Sequence, residues 1–482
     1  MRISHYSSLA VLAVALSGCS VGPSYIAPVA PASTTFLGGA DINARLPGQE
    51  AADMTDWWKA FGDPLMADLV ERALANNLDL QQARSRVLQA RAALKSADAA
   101  LLPSGQINGQ TGGVYQSLET PIGQLGSSFP QFERSSEIYQ LDLAASWELD
   151  LFGGRDAARD AARADWQASA AAAIAARLTI AAQTADTYIA IRSLQARLEV
   201  AKEQAETQQS LVNLIALQNR EGVAADLQVQ QATGALARVR GAVPALQDEL
   251  NMAMNALDIL LGQQPGTVRP ELLNVAAIPV APAISAAGGP AELIRRRPDI
   301  IAAERTLAAS NSRIGAAMSE YYPKFSLSGL VGSATTAAGG LFSGNATQAS
   351  GILGLRWRLF DFGRIDAEIK AAEGRNAEAL AAYRITVLRA SQDVENAFST
   401  LLQQEDRAAL LSQGESSFMQ ARTASFAAYQ GGVVSLIEVL DADRQLLEMR
   451  DNAIQARAAA TRGAVASFRA LGGGWDKDSS PL

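Results

Sequence analysis

The chain contains the same order of sequence patterns twice, and this internal repeat constrains the fold more than any other feature. Asn77-Leu-Asp-Leu in the first half corresponds to Arg297-Pro-Asp-Ile in the second, and Trp147-Glu-Leu-Asp-Leu-Phe-Gly corresponds to Trp357-Arg-Leu-Phe-Asp-Phe-Gly. The spacing is about 220 residues for the first pair and about 210 for the second, which indicates duplication of one structural unit. We expect two copies of the order helix, strand, loop, strand, very long helix, return helix.

Each copy contains a stretch that predicts a helix too long for a compact domain. Residues 155–219 include no proline, and about 65 residues of α-helix correspond to roughly 98 Å. A second proline-free stretch runs from 364 to about 430. In the return helix after it, Leu440, Leu447 and Ile454 recur every seven residues, which is typical of a coiled-coil seam. Long helices packed side by side are therefore predicted.

Before each long helix the hydrophobic period changes to that of a β-strand. In residues 138–150, apolar side chains such as Leu141, Leu143 and Trp147 alternate with mainly polar ones, over a length that is enough to cross a bilayer at a tilt. A strand of a soluble sandwich would alternate too, but here the polar face carries charges such as Asp142, Glu148 and Arg356. Four strands are predicted, at about 104–115, 138–150, 324–335 and 351–360.

Four strands are too few to form a membrane barrel alone. An open sheet edge is not tolerated in lipid, so several copies of the chain must contribute strands. Three copies would give twelve strands, an even number in the observed range of outer-membrane barrels. The loops at 116–137 and 336–350 would then lie outside the cell. We therefore predict an α+β membrane protein, with a twelve-stranded trimeric barrel continued by long helices.

The N-terminal residues predict a lipoprotein signal. Arg2 precedes an apolar run at 9–16, and Leu16-Ser17-Gly18-Cys19 follows. This sequence resembles a bacterial lipobox, which implies cleavage before Cys19, acylation of the cysteine with lipids such as palmitate, and anchoring in the outer membrane. The alternative is an ordinary secretory signal with a cysteine there by chance. Cys19 is the single cysteine of the chain, which favours the lipoprotein.

Composition excludes several classes of function. The single histidine, His5, lies in the signal, so the mature chain has no histidine base, free thiol nucleophile or ordinary zinc site. The whole chain carries 41 Lys and Arg against 49 Asp and Glu, and its net charge of −8 disfavours nucleic acid as a partner. No apolar stretch beyond the signal approaches 20 residues, so membrane crossing must use strands. We predict no cofactor and no metal, apart from covalent lipid on Cys19.

The pattern also predicts where the segments of the chain begin and end. We expect a signal peptide at 1–18 and a lipid-anchored tail at 19–61. The first repeat is predicted at 62–262, a linker at 263–289, the second repeat at 290–471 and a C-terminal tail at 472–482.

Several motifs together resemble the TolC-like outer-membrane factor family, in its lipoprotein branch of efflux channels that work with RND-type pumps. They are Arg297-Pro298-Asp299-Ile300, Trp147-Glu-Leu-Asp-Leu-Phe-Gly, Leu260-Leu-Gly262 and Leu440-Asp441-Ala442. The resemblance covers nearly the whole mature chain. It implies a homotrimer with a periplasmic helical tunnel and an equatorial region that includes the linker. It also implies passive export of drugs or other small toxic compounds, with a periplasmic adaptor protein and an inner-membrane RND transporter as partners.

Candidate functional residues lie just after the break at 429–432. Glu438 and Asp441 are three apart and share one helix face, so a trimer would stack two rings of three carboxylates. A solvated helix face is the ordinary interpretation of such a pair, but the resemblance implies a constriction, and it implies a gating role for Tyr429. Where the family's best-known gate pairs an arginine with an aspartate, this chain has, by alignment, the residues Val434 and Gln228.

Two other functions are compatible with parts of the sequence. A trimeric coiled-coil lipoprotein with a structural or adhesive role would explain the helices but not the strands that precede them. A hydrolase without histidine or cysteine is conceivable, but no Gly-x-Ser-x-Gly elbow stands at a strand-to-helix turn. We therefore expect an outer-membrane export channel without catalysis.

Overall fold

The computed structural model describes residues 21–29, 35–286 and 289–476 of the 482-residue chain. These residues form α-helices and one β-sheet. The helices are α1 Gly39–Ala44, α2 Pro64–Asn76, α3 Leu78–Ala99, α4 Pro121–Ser127, α5 Gly154–Arg220, α6 Asp226–Leu260, α7 Gly289–Arg296, α8 Pro298–Met318, α9 Arg364–Gln430 and α10 Leu436–Ala470. The strands are β1 Ser104–Tyr115, β2 Ser135–Leu149, β3 Lys324–Thr335 and β4 Thr347–Arg356.

The sheet is antiparallel, and its order is β1-β2-β3-β4. β1 pairs with β2 from Ser104 opposite Ser146 to Tyr115 opposite Ser135. One face of the sheet is apolar and exposed, and it carries the side chains of Ile107, Leu143, Trp147, Leu327, Val331, Leu353 and Leu355. A long four-stranded sheet with one exposed apolar face confirms the coarse prediction made from strand alternation.

Two strand boundaries differ from the prediction. β2 begins at Ser135 rather than about 138, because β1 extends to Tyr115 and needs a partner there. β4 spans Thr347–Arg356 rather than about 351–360. It ends at Arg356 because that residue pairs with Lys324, the first residue of β3, and Pro323 precedes it. The segment from Trp357 to Leu359 alternates in sequence but pairs with no strand of the described chain.

The long helices have equal lengths in the two halves. α5 and α9 each have 67 residues, and α6 and α10 each have 35. At 1.5 Å per residue, α5 and α9 correspond to about 100 Å of helix each. In the residues that the structure describes, no helix combines the length and the apolar character needed to span a membrane.

Contacts divide the chain into two compact units that each take segments from both sequence repeats. Of the residues that the structure describes, the sheet unit takes those within Met1–Pro28, Leu88–Gln167 and Glu304–Ala381. The helical unit takes those within Val29–Val87, Ala168–Ala303 and Ala382–Leu482. The sequence repeat therefore does not correspond to two spatially separate domains.

The helical unit has an aromatic core near the start and end of the chain. Trp57 is 1% exposed, and its ring stacks on Phe468 at 5.4 Å between centroids. Asp63 caps α2 by accepting a hydrogen bond from the Met66 N–H, as its position before Pro64 predicts. Its other oxygen accepts the Tyr188 hydroxyl at 2.6 Å. Burial, followed by this bond to Asp63, raises the pKa of Tyr188 to about 12.

Candidate functional site

The candidate site lies where the long helices turn back, and both turns have the same backbone geometry. After α5 the Val223 N–H donates to the Gln218 carbonyl at 2.8 Å, and after α9 the Val433 N–H donates to the Ala428 carbonyl at 2.9 Å. This six-residue bond is the Schellman motif that ends helices. It requires left-handed backbone one residue earlier, where Gly222 and Gly432 have φ of 73° and 72°.

Beneath the two turns, the helix ends pack together in one apolar cluster, which we call the tip cluster. Its buried members are Leu211, Ile215, Ala224, Ala232, Leu436 and Val439. Val212, Val229, Phe426, Tyr429 and Leu440 pack around them, partly buried. Residues of α5, α6, α9 and α10 all contribute, so the two helical hairpins are held against each other at their ends by burial of apolar surface.

Tyr429 connects this cluster to the neighbouring hairpin. Its ring packs on the tip cluster, and its hydroxyl donates a hydrogen bond to Oε1 of Gln218 on α5 at 2.8 Å. Partial burial raises the pKa of the Tyr429 phenol, so it stays protonated and able to donate. Tyr429, for which the family resemblance implies a gating role, therefore joins α9 to α5.

Glu438 and Asp441 lie in the first turns of α10, outside the tip cluster. Glu438 is exposed and accepts a hydrogen bond from the hydroxyl of Ser435, the residue that caps α10. This bond lowers the pKa of Glu438. The side chain of Asp441 is 47% exposed and accepts bonds from Arg444, at 2.6 Å, and from Gln445. The bonds from Arg444 and then Gln445 lower the pKa of Asp441, so both carboxylates are ionised at neutral pH.

Gln228 and Val434, the positions aligned with the family's arginine–aspartate gate, do not form a bridge. Gln228 accepts the Ala225 N–H through its side-chain oxygen at 3.1 Å and thereby caps its own helix, α6. Val434 is half-buried at the second turn. Asp226, close to Gln228, accepts a bond from Asn219 at 3.1 Å. Cys19, the predicted lipidation site, lies outside the described residues.

Sequence reasoning missed a buried acid beside the tip cluster. Asp443 is 1% exposed, and its two oxygens have different partners on two other helices. Arg422 of α9 approaches Oδ1 with its Nε at 3.0 Å, and Gln208 of α5 donates to Oδ2 at 2.9 Å. The signal was present, because Asp443 stands four residues after buried Val439 and three before buried Leu446, in the apolar stripe of α10. We call these three residues the Asp443 network.

The first described residues of the tail lie along the sheet unit. The Val21 N–H donates to the carbonyl of Phe152, three residues beyond the end of β2, at 3.3 Å. The Asn311 side chain of α8 donates to the Pro23 carbonyl at 2.9 Å, and the Tyr25 hydroxyl donates to Glu304 at 2.5 Å. The chain two residues after Cys19 is therefore fixed close to the base of the sheet.

The chain is similar to known proteins along most of its length. A family model described as outer membrane efflux protein matches residues 69–263 and 289–473. The chain is 33% identical to outer membrane protein OprJ of Pseudomonas aeruginosa, over 98% of this chain and 96% of OprJ. It is 31% identical to the pyoverdine export outer membrane protein OpmQ of the same species, over 90% of each. The solved structure of the outer-membrane channel OprN matches with a TM-score of 0.85 and 32% identity, over 95% of this chain and 100% of that one.

Proposed function

We propose that this chain, which belongs to the outer membrane efflux protein family, is the outer-membrane channel of a tripartite efflux system. It would conduct drugs or other small toxic compounds passively from the periplasm to the outside. The observation that carries the proposal is a sheet with an exposed apolar face in a chain whose helices reach 67 residues. The relatives are outer-membrane efflux proteins and channels, which are not enzymes, and they give no support to a non-conducting coiled-coil lipoprotein.

We further propose that three copies close the sheet into a twelve-stranded barrel. β1 and β4 are the edges of the four-stranded sheet, and each needs a partner if the sheet lies in lipid. Pairing β4 of one copy with β1 of the next would satisfy both edges and place the apolar face outward. Internal duplication would explain the equal helix lengths and the match of one family model to two successive segments.

The partners we propose follow from the passive nature of such a channel. A tube with no energy source of its own needs a transporter elsewhere, here an inner-membrane RND-type pump. A periplasmic adaptor protein would join the pump to the helix ends that carry the tip cluster. Selection of the cargo would then occur in the pump, because the channel itself would discriminate between molecules by little more than their size and charge.

At the helix ends, Glu438 and Asp441 would form the acidic aperture of the trimer. Both are ionised, and both are exposed rather than used to hold the hairpins together. Rings of carboxylates attract cations and repel anions at a constriction. Arg444 compensates part of the charge of Asp441, so Glu438 is expected to contribute more to the attraction.

The double substitution Glu438→Ala plus Asp441→Ala tests the aperture. We expect the ratio of K⁺ to Cl⁻ permeability to fall by about threefold or more in planar bilayers, because each trimer loses six carboxylates. Glu206→Ala is the control, since Glu206 is an exposed acid on α5 that lies outside the ion pairs of Arg444. Equal permeability ratios in the wild type and the double variant would contradict the acidic aperture, while conduction itself would still support the channel.

We also propose that Cys19 carries the lipid anchor. The anchoring of residues 21–25 near the base of the sheet supports this, because it would hold the acylated cysteine close to the membrane surface. An anchor there would add to the membrane attachment given by the barrel.

Replacement of Cys19 by alanine is expected to abolish incorporation of radiolabelled palmitate completely. The protein should still fractionate with the outer membrane, because the proposed barrel holds it there. Ser20→Ala, which leaves the cysteine in place, is the control. Labelling that persists in Cys19→Ala would show that the lipid, if any, is attached elsewhere.

A further inference from the structure

One acid on the polar face of the sheet has no cation beside it among the residues that the structure describes. The four strands contain three acids, all in β2: Glu137, Asp142 and Glu148. Glu148 pairs with Arg155 at 2.9 Å, and Glu137 is exposed and accepts the Tyr139 hydroxyl at 2.7 Å. Asp142 is 2% exposed, and within residues 21–29, 35–286 and 289–476 its partners are side-chain amides alone.

These amides and a glycine form a fitted site for the carboxylate. Gln348 of β4 donates to Oδ1 of Asp142 at 2.8 Å, and Gln140 of the same strand donates to Oδ2. Between Asp142 and Gln348 stands Gly332 of β3, which is opposite both in the strand register. A Cβ at Gly332 would overlap Oδ1 of Asp142, so the glycine makes room for the carboxylate to reach across β3 to Gln348.

Basic residues are distant on this face of the sheet. Among the residues of the four strands only Lys324 and Arg356 are basic. They pair with each other eight positions along β3 and β4 from Gly332 and Gln348, which corresponds to roughly 26 Å. The side chains that share the level and face of Asp142 are neutral, including Asn108 of β1.

A buried, unpaired carboxylate in a membrane strand is costly, and such residues usually serve a function. Apolar or amide side chains would hold the strands together without that cost. The two amides bond both oxygens of the carboxylate, and a charge in surroundings of low dielectric acts over a longer distance than it would in water. The field of Asp142 would extend to the polar side of the sheet, opposite the apolar face.

We propose that Asp142 gives the lumen of the barrel its own preference for small cations, separate from the acidic aperture at the helix ends. The inference rests on the proposed channel function, because only a closed barrel turns the polar face into a lumen. In the trimer, three Asp142 carboxylates would lie at one level of the wall. Each acts as a fixed negative charge behind its two glutamines rather than as a metal ligand.

The test compares Asp142→Asn with Glu137→Gln in planar bilayers, both in the Glu438→Ala plus Asp441→Ala background. That background removes the charge of Glu438 and Asp441, so the contribution of Asp142 is measured without theirs. Glu137→Gln is the matched control, because it removes the same charge from the same strand but from the opposite face. Asp142→Ser is the second variant. In Asp142→Asn the new amide group would face the N–H donors of Gln140 and Gln348, and the side chains would have to rearrange. A serine hydroxyl can accept a bond from these donors without adding another amide.

We expect both Asp142 variants to lower the ratio of K⁺ to Cl⁻ permeability by about threefold, and the Glu137 variant to leave it unchanged. Unchanged ratios in both Asp142 variants would overturn the inference and leave the channel function intact. If neither Asp142 variant forms trimers while Glu137→Gln does, the inference is also overturned, because Asp142 would then be required for assembly rather than for ion selectivity. Absence of conduction from every protein, including the wild type, would contradict the channel function itself.

Discussion

Substitution of Asp443 by alanine is expected to increase the conductance of the channel more than any other single change at the helix ends. Asp443 joins α10 to α9 through Arg422 and to α5 through Gln208. Removing one member of a buried ion pair costs about 3–5 kcal/mol, and the partial exposure of Arg422, 30%, reduces this to about 2 kcal/mol. If the network breaks when the tip opens, the open population would rise about 30-fold.

The expected order of conductance follows from what each variant leaves unpaired. Asp443→Asn keeps an oxygen that can accept from Gln208, so its effect should be smaller than that of Asp443→Ala. In Asp443→Ala the side-chain N–H of Gln208, which is only 3% exposed, would lose its acceptor. The side-chain oxygen of Gln208 has no partner within the described part of the chain even in the wild type. Single-channel recording of wild type, Asn and Ala variants measures the order directly.

Asp451→Ala is the matched control for this prediction. Asp451 lies on the same helix and pairs with Arg197 of α5 at 2.6 Å, so it also joins two helices, but it is outside the tip cluster. Its removal should leave the conductance unchanged. A similar increase in both variants would show that general loosening of the helices, rather than the Asp443 network, controls opening.

Substitution of Phe468 by alanine is expected to cause the largest loss of stability. Phe468 is 0% exposed, stacks on Trp57 and contacts Phe61 edge-on at 6.2 Å. Truncation of a buried phenylalanine costs about 3–5 kcal/mol, because it removes apolar contacts and leaves a cavity. The measurement is the midpoint of thermal loss of helical circular dichroism in detergent, which should fall by several degrees.

Leu410→Ala provides the comparison for Phe468→Ala, because Leu410 is a large apolar residue on a helix but is 67% exposed. Its midpoint should stay within about one degree of the wild type, since surface substitutions usually change stability by less than 0.5 kcal/mol. Equal effects of the two substitutions would contradict the assignment of the aromatic cluster as the core of the helical unit.

The sequence predicted the elements of this fold well because each has a strong local signal. Strand alternation predicted β2, β3 and β4, and the internal repeat predicted β1. The absence of proline from 155–219 and 364–430 predicted two helices that are found as Gly154–Arg220 and Arg364–Gln430. The strand ends were less accurate. They depend on the partner strand, as at Arg356 opposite Lys324, and alternation alone does not show where a partner ends.

The site was harder to predict, because its contacts join residues far apart in the chain. Gln208 and Asp443 are 235 residues apart, and neither lies in a distinctive motif. Periodicity does show that Asp443 falls in the apolar stripe of α10, which is a signal for a buried, paired acid. It does not identify Arg422 or Gln208 as the partners. The row from Asp142 through Gly332 to Gln348 likewise depends on the register of three strands.

Single-channel recording of the purified wild-type protein is the most direct test of the channel function. We predict a small, cation-preferring conductance that grows in Asp443→Ala. Proteins that insert as trimers yet pass no current, in both the wild type and Asp443→Ala, would contradict a channel and would favour a structural lipoprotein.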